Sequence, residues 1–369
     1  MVKSHKHACI QPSEHPAVQS ALRIQVSQRR IELRSRISIV TMLVVCVVVA
    51  IVSLTCGVQN LGPIESVMAL FGVGDTQIVM TICSIRLPRI ICAIFAGAGL
   101  ALAGAALQSV LENPLASAST VGISQGAVFG ATLAILFVAP LFAGTGADVG
   151  MGTVAIFAFA GAMVSSLVVL LFSRFGFTSP ESIILVGVAL SSLWAGASTI
   201  LQYFSDDLAL TKVIFWQFGD IGRATWAQIA FMGFMCGLGA AYFFFNRWNY
   251  NALQNGGHIA GGLGVSVNRT RNLGVAVASL VAASVVSFVG LISFIGLIAP
   301  HIARRFVGND YRYLLPASLV LGSAIMLASD LIARLVISPV ILPIGAITSF
   351  LGAPLFLYLL YRGHKRSRA

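Results

Sequence analysis

The sequence predicts an all-α fold, a polytopic transmembrane bundle of about ten helices with both termini in the cytoplasm. Composition is the first observation: 57% of the 369 residues are hydrophobic and 9% are charged, with a mean hydropathy of +0.92. A soluble domain carries roughly 25% charged residues, so a soluble protein is excluded. Length is the second observation, because the chain accommodates roughly ten spans of about 20 residues with short connections.

The N-terminal segment is predicted to be a cytoplasmic tail. Residues 1–36 are polar and carry seven Lys and Arg residues. The uncharged run at 37–58 is long enough to span a bilayer, whereas a secretory signal has an apolar run of about 7–15 residues. We therefore expect a basic tail at 1–36, a transmembrane domain at 37–363 and a second basic tail at 364–369.

The distribution of positive charge predicts the orientation of the spans. Nine further apolar segments follow the first, at about 90–111, 118–140, 150–172, 182–204, 227–245, 273–291, 293–307, 314–333 and 343–361. If the first span runs from inside to outside, eighteen of the 23 Lys and Arg residues fall in cytoplasmic segments. Basic residues concentrate on the cytoplasmic side of membrane proteins. This bias accounts for the net charge of +11 without nucleic acid as a partner.

Small residues and prolines inside the apolar segments predict a closely packed bundle. In the second span, Ala93, Gly97, Ala101 and Ala105 recur every four residues, a spacing that lets membrane helices approach closely. The prolines inside apolar segments are Pro114, Pro300, Pro339, Pro343 and Pro354. Non-helical backbone at membrane depth is tolerated where protein buries it or where it lines a cavity. A channel-like interior and kinks that only serve packing both remain open.

The sequence lacks the motifs expected of an ATPase, an enzyme or a metal-binding protein. No G-x-x-x-x-G-K-[ST] motif occurs, so the chain is not expected to bind ATP phosphates itself. No nucleophile, metal-ligand or cofactor pattern stands out, and we expect no enzyme, no metal site and no cofactor in this chain. Asp330 is the one carboxylate well inside an apolar span, and an ion pair with Arg334 four residues later explains it as well as a proton relay does.

Ordered motifs along the chain give a resemblance. They are Arg-Leu-Pro-Arg at 86–89, Gly-Ala-Gly-Leu-Ala-Leu-Ala-Gly at 97–104, Asn-Pro-Leu-Ala at 113–116, Phe-Ile-Gly-Leu-Ile-Ala-Pro-His at 294–301 and Leu-Pro-Ile-Gly at 342–345. Together they resemble the permease subunits of the FecCD family of ABC importers, which carry ferric siderophores, haem and cobalamin across the inner membrane. The resemblance covers nearly the whole chain after residue 37.

The resemblance implies an assembly. It implies a homodimer with a translocation path on the two-fold axis, two ATPase subunits that bind Mg-ATP on the cytoplasmic side, and a substrate-binding protein that docks outside. It places the chain in the cytoplasmic (inner) membrane of a bacterium or archaeon, in contact with the lipid bilayer.

The resemblance also implies roles for particular residues. Arg86, Arg89 and Arg334 are expected to dock the binding protein. The ATPase-coupling loop is expected to contain Asn251, Gly256, Gly257, His258, Ala260, Leu263 and Gly264, as two short helical pieces broken by a turn. The translocation path or gate is expected to involve Gln108, Asn113, Pro114, Ser191, Ser192, Ser198, Thr199, Thr348 and Ser349.

Three positions depart from the family pattern. Gly257 stands where a Glu is expected in the coupling loop, Ala118 where a proline is expected, and Ile341 where a Glu is expected before Leu-Pro-x-Gly. These departures affect the details of the ATPase contact, of a cytoplasmic turn and of the outer face.

The substrate is only weakly encoded. A path lined by hydroxyls, without metal ligands, favours an intact metal chelate, most of all a ferric siderophore. Haem, cobalamin and an oxyanion such as molybdate remain alternatives. An ion-coupled secondary carrier is the alternative from a different class, and a structural membrane subunit is a third.

Overall fold

The computed structural model describes residues 16–57, 62–142, 151–175 and 179–367, and across these ranges the regular structure is entirely helical. The elements are α1 (Pro16–Thr55), α2 (Pro63–Leu70), α3 (Thr76–Thr81), α4 (Leu87–Val110), α5 (Ile123–Leu133), α6 (Ala139–Phe142), α7 (Met151–Arg174), α8 (Pro180–Tyr203), α9 (Asp207–Phe218), α10 (Trp226–Phe245), α11 (Arg247–Leu253), α12 (Gly257–Gly262), α13 (Val267–Val289), α14 (Ile295–Val307), α15 (Tyr311–Leu335) and α16 (Ile344–Ser367). Turns of π-helix at Ile82–Arg86 and Ala134–Val138 join α3 to α4 and α5 to α6.

The predicted spans are present as helices, with differences in length. Within the described residues, eight continuous helical segments are long and apolar enough to cross a membrane. The other two predicted spans are shorter helices: α14 has 13 residues, and the apolar part of α16 covers Ile344–Tyr358. All-α transmembrane architecture is therefore confirmed.

Two boundaries differ from the predicted ones. Helix α1 begins at Pro16, so the second half of the predicted tail is helical, while residues 1–15 lie outside the described residues. Helix α5 begins at Ile123 instead of residue 118, because hydrogen-bonded turns occupy the preceding segment and Gly122 adopts a φ of 84°. That left-handed conformation favours glycine.

Local sequence explains where several helices begin. The hydroxyl of Ser179 accepts a hydrogen bond from the backbone of Ser182, and Pro180 opens α8. Asp310 caps α15 by accepting from the backbone of Arg312 at 2.9 Å. Such caps satisfy the amide groups that the first helical turn leaves unpaired.

Helix α4 is the centre of the bundle and contacts α10, α13, α14 and α15. Its predicted small residues make these contacts close: a β-carbon at Gly104 would overlap the carbonyl group of Gly296 on α14, and one at Gly97 would overlap the carbonyl group of Gly322 on α15. Ala93, Ala101 and Ala105 are fully buried. The predicted small-residue packing of this helix is therefore confirmed.

The bundle has two ends with different chemistry. The arginine end carries Arg86, Arg89, Arg223 and Arg334. The loop end carries α11, α12 and the 111–122 turn. Helix α1 connects them, since Ser35 contacts the carbonyl of Val307 near the loop end, and the carbonyl of Leu54 contacts Arg86 at the arginine end.

Candidate functional sites at the two ends of the bundle

A buried carboxylate organises the arginine end. Nε of Arg89 donates to Oδ1 of Asp330 at 2.8 Å, and Nε of Arg334 lies 3.0 Å from Oδ2 of Asp330, an ion pair without hydrogen-bond alignment. Asp220 lies 3.7 Å from the Arg89 guanidinium. The Asp330 side chain is 1% exposed, against 11% for Arg89 and 10% for Arg334. Two guanidinium groups therefore compensate one buried carboxylate.

Arg86 and Arg334 attach α1 to the bundle. The Arg86 guanidinium donates to the carbonyl groups of Leu54 at 2.6 Å and Thr55 at 3.0 Å. Arg334 donates to the carbonyl group of Cys56 at 3.2 Å. The structure thus brings Arg86, Arg89 and Arg334 together at one end, as the sequence predicts, but their guanidinium groups bind within the chain and little of their surface is exposed. Their role in docking stays a prediction.

Helix α11 is firmly attached at the loop end. Tyr250 and Tyr311 are fully buried and their rings stack at a centroid distance of 5.7 Å. The Asn251 side chain donates to Asp310 Oδ1 at 3.0 Å and accepts from the Tyr311 backbone amide at 2.8 Å. Ser109 at the end of α4 donates to the Tyr250 carbonyl at 3.3 Å. Movement of α11 would therefore act on both α4 and α15.

The Asp310 carboxylate is stabilised in its charged form. Burial alone would raise its pKa, but hydrogen bonds from Arg312 and Asn251 outweigh burial and hold the pKa below its ordinary value. The carboxylate consequently remains ionised at any physiological pH, and it keeps both α11 and the first turn of α15 in place.

Helix α12 presents an exposed surface beside α11. Its predicted two-piece arrangement is confirmed, with the break at Gly256, which has a φ of 101°. His258, Ile259, Leu263 and Gly264 are exposed. Ala260 is 0% exposed and packs inward, so it offers no surface of its own to a partner, and the role of this loop in ATPase coupling stays a prediction. The residue missed by the sequence is Ile259, which is 56% exposed.

A second ion pair explains one departure from the family pattern. The Arg271 guanidinium donates to Glu112 Oε1 at 2.9 Å and to the Val110 carbonyl at 3.0 Å. A β-carbon at Gly257 would lie 3.7 Å from Glu112 Oε1 and 3.8 Å from the Arg271 guanidinium. Position 257, where the family pattern has a Glu, therefore lies beside Arg271, and in this chain Glu112 supplies the carboxylate that pairs with Arg271. Glu112 also adopts a φ of 46°, an uncommon backbone conformation for this residue type.

The predicted path residues divide into two groups. Ser192 and Thr199 are exposed on α8, and Ser191 and Ser349 are half-buried. Ser198 is 3% exposed and donates to the Trp194 carbonyl, and Thr348 is 2% exposed and donates to the Gly345 carbonyl. Both hydroxyls thus bond within their own helices, and the role of these residues on a path between two copies stays a prediction.

Gln108 also lies inside the chain. It is 3% exposed, accepts a hydrogen bond from Arg304 and directs its amide nitrogen at the Gly296 and Leu297 carbonyl groups. The structure places Gln108 at a contact between α4 and α14, and its role on the path stays a prediction. Asn113 forms a turn by accepting from the Leu115 amide at 2.8 Å, and Pro114 is exposed at the loop end.

Comparison with known proteins identifies the family. The FecCD transport family matches residues 43–362. An ABC transporter permease of Methanocaldococcus jannaschii is 45% identical over 325 residues, 86% of this chain and 92% of that protein. The Fe(3+)-citrate import system permease of Bacillus subtilis is 35% identical, over 89% of this chain and 95% of its own length.

Solved structures agree with the sequence comparison. A chain from an inward-facing, metal-chelate type ABC transporter superposes with a TM-score of 0.77 and 31% identity, covering 88% of this chain and 98% of that one. Fold and relatives together define a multi-pass α-helical protein of the cytoplasmic membrane. The chain belongs to the FecCD transport family.

Proposed function

We propose that the chain is the permease subunit of an ATP-driven importer and that it acts as a homodimer. Two ATPase subunits would bind at the loop end and hydrolyse Mg-ATP, and a substrate-binding protein would dock at the arginine end. The proposal rests on family membership and on relatives that are import permeases by name. The loop end would face the cytoplasm, consistent with its basic residues.

One observation supports this proposal most: α12 has an exposed face, and the adjoining α11 is attached to the bundle through buried side chains. Ile259 on α12 and Leu263 at its end are 56% and 70% exposed, while Ala260 on α12 and Tyr250 and Leu253 on the adjoining α11 are fully buried. An exposed apolar surface that lies beyond a membrane span is typical of a protein contact. Force applied to α12 would reach α4, α13 and α15 through the contacts of Tyr250, Asn251 and Arg271.

A photo-crosslinker placed at His258 tests the ATPase contact. In the assembled complex, we expect efficient crosslinking to the ATPase from position 258 and none from Asp206, an exposed residue at the arginine end. Equal crosslinking from both positions, or none from 258 in an intact complex, would place the coupling contact elsewhere.

We infer that the cargo is an intact metal chelate, most of all a ferric siderophore, with haem, cobalamin or an oxyanion as alternatives. The named relatives include permeases for Fe(3+)-citrate, iron(3+)-hydroxamate, hemin and cobalamin. Exposed hydroxyls at Ser192 and Thr199 would offer a mildly polar surface where two copies of α8 face a shared path. Binding of ferric, cobalt and molybdate ligands to the partner binding protein, followed by absorption spectra, decides among these cargoes.

A secondary carrier is less well supported. Such a carrier needs an ionisable group in the membrane that can change its charge during transport. Asp330, the carboxylate that the sequence places deepest in a span, is held between Arg89 and Arg334. These two ion pairs give Asp330 a structural role inside the chain, so its place in the span is explained without a proton relay.

A further inference from the structure

An open apolar groove runs over α4 between α10 and α15. It encloses about 370 Å³, and its walls include Ala240, Ala241, Phe245, Leu315 and Leu319. Phe245 is 80% exposed, and α10 continues the apolar surface with Phe234 and Leu238, which are 60% and 50% exposed. Because α10 spans the membrane, this face adjoins the acyl chains of the bilayer.

The groove lies away from the helices proposed for the dimer axis. Helix α10 packs on α4 and α13, whereas α8 packs on α5 and α7. A second copy of the chain that met its partner through α8 and α16 would leave the groove facing lipid.

A basic and aromatic cluster stands at the loop end of this groove. The Arg247 guanidinium lies 4.2 Å from the ring centroid of Phe244, a groove residue, and 5.8 Å from that of Trp248. The Arg312 guanidinium lies 5.2 Å from the Trp248 ring. Trp248 is 56% exposed. Arginine and tryptophan at the end of a span are typical of the depth of lipid headgroups.

The charges of this cluster are only partly compensated. Arg312 pairs with Asp310 at 2.7 Å and lies 3.9 Å from Glu32, so carboxylates of this chain balance it. Arg247 donates one hydrogen bond, to the Phe244 carbonyl at 3.0 Å, and its Nε is buried without a hydrogen-bond partner. Among the described residues no carboxylate lies within ion-pair distance of Arg247. A guanidinium has five N–H donors, so most of its capacity is unused.

We propose that this groove and Arg247 form a binding site for an anionic phospholipid. The phosphate would accept hydrogen bonds from the free edge of the Arg247 guanidinium, and one acyl chain would lie in the groove beside Ala241. Guanidinium groups bind phosphate well because their paired N–H donors match its oxygens. Basic pockets between spans on the cytoplasmic side suit anionic headgroups. The site is independent of the transported cargo.

Native mass spectrometry of the purified permease assembly, titrated with phosphatidylglycerol or with phosphatidylcholine of the same acyl chains, tests the proposal. We expect preferential binding of phosphatidylglycerol, and we expect Arg247→Gln to weaken it about tenfold, to the level of phosphatidylcholine. Arg174→Gln is the matched control, since Arg174 is an exposed arginine at the end of α7, and it should leave binding unchanged.

A second variant tests the contribution of the groove to lipid binding separately from that of the Arg247 charge. Ala241→Phe keeps Arg247 but fills the groove, and it should also weaken phosphatidylglycerol binding, even if Arg247→Gln fails to fold. Equal losses in Arg247→Gln and Arg174→Gln would show diffuse charge attraction and overturn the proposal. Full displacement of phosphatidylglycerol by equimolar inorganic phosphate would also overturn it, because the acyl chain would then contribute nothing.

Discussion

Arg89 on α4 and Asp330 on α15 are 241 positions apart in sequence, yet the Arg89 Nε donates to the Asp330 Oδ1 at 2.8 Å. Arg334 shares the same carboxylate from the other side. Both arginines belong to the set that the sequence assigns to docking. The Arg89 ion pair also holds α4 to α15, and hydrogen bonds from Arg334 to the carbonyl groups of Ser53 and Cys56 hold α1 to the bundle.

Removing the shared carboxylate should destabilise the fold strongly. Asp330→Asn leaves two nearly buried guanidinium groups beside each other, and breaking a buried ion pair of this kind costs about 3–5 kcal/mol. Asp206→Asn is the control, because Asp206 is exposed and its side chain caps no helix. In thermal unfolding in detergent, the midpoint of Asp330→Asn should fall well below that of wild type, and the midpoint of Asp206→Asn should stay near it. Similar midpoints for both would mean that the carboxylate is dispensable.

Charge reversal of Arg86 and Arg89 is therefore a poor probe of docking alone. Arg86→Glu would place a carboxylate against the carbonyl groups of Leu54 and Thr55, and Arg89→Glu would place one against Asp330. We expect both variants to unfold at lower temperature than wild type. A loss of binding-protein association counts as evidence for docking only in a variant whose unfolding midpoint is unchanged.

The glycines of α4 should be intolerant of a single methyl group. Gly104→Ala forces α4 away from the Gly296 carbonyl of α14, and such overpacking costs typically 1–3 kcal/mol. Gly237→Ala on α10 is the control, since a β-carbon there meets no atom within 4 Å. That change should be neutral or stabilising by up to about 1 kcal/mol. The unfolding midpoint in detergent should fall for Gly104→Ala and should stay or rise for Gly237→Ala, and an equal fall in both variants would contradict the close packing of α4 on α14.

A carboxylate at position 257 should replace the one at Glu112. Glu112→Gln removes the ion pair with Arg271, and loss of a hydrogen bond to a charged group costs roughly 1.5–3 kcal/mol. Gly257→Glu adds a new carboxylate side chain, and the β-carbon of that side chain would lie 3.8 Å from the Arg271 guanidinium. The double variant should therefore recover most of the unfolding midpoint that Glu112→Gln loses. Additive losses in the double variant would show that the two positions do not share Arg271.

Acid should weaken the attachment of α11 through Asp310. Because its pKa in the folded state lies below the unfolded value of about 3.9, its charge stabilises the fold at neutral pH. That contribution is lost as the pH falls first through the unfolded and then through the folded pKa. Asp310→Asn keeps a helix-capping side chain without the charge. The difference in unfolding free energy between wild type and this variant should be largest at pH 7 and should shrink below about pH 4.

Hydropathy predicts the long spans of this fold, but it does not predict features that depend on individual side chains. Apolar length predicts α7, α8, α10 and α13 to within several residues, because spanning the bilayer constrains them directly. The capped start of α15 and the turn before α5 depend on side-chain hydrogen bonds and on Gly122, and hydropathy does not detect them.

The site residues show the same division. Motif positions predict that Arg86, Arg89 and Arg334 lie at one end, but not that Asp330 also pairs with Arg89. A four-residue spacing reveals the Arg334 pair, whereas the Arg89 pair exists only through the packing of α4 on α15. Hydroxyl content alone could not separate the exposed Thr199 from its buried neighbour Ser198, since adjacent residues on a helix face different directions.

Contacts at the loop end predict how coupling can be broken without dissociating the complex. Asn251→Ala removes the hydrogen bonds to Asp310 and to the Tyr311 amide, but leaves the exposed face of α12 unchanged. We expect ATPase subunits to remain bound while substrate uptake per ATP falls several-fold. Asn249→Ala is the control, since that side chain donates only within α11 and its flank, to Asn246. Loss of ATPase binding in Asn251→Ala would show that the contact stabilises the interface itself.

Substrate uptake by proteoliposomes distinguishes an ATP-driven importer from a carrier or a channel. The permease, its ATPase and its binding protein are reconstituted together, and entry of a radiolabelled ferric siderophore is followed with and without ATP. We expect uptake that requires all three components and that stops when the ATPase carries a hydrolysis-deficient substitution. Uptake by the permease alone, or uptake that continues without ATP hydrolysis, would contradict an ATP-driven importer and would instead indicate a carrier or a channel.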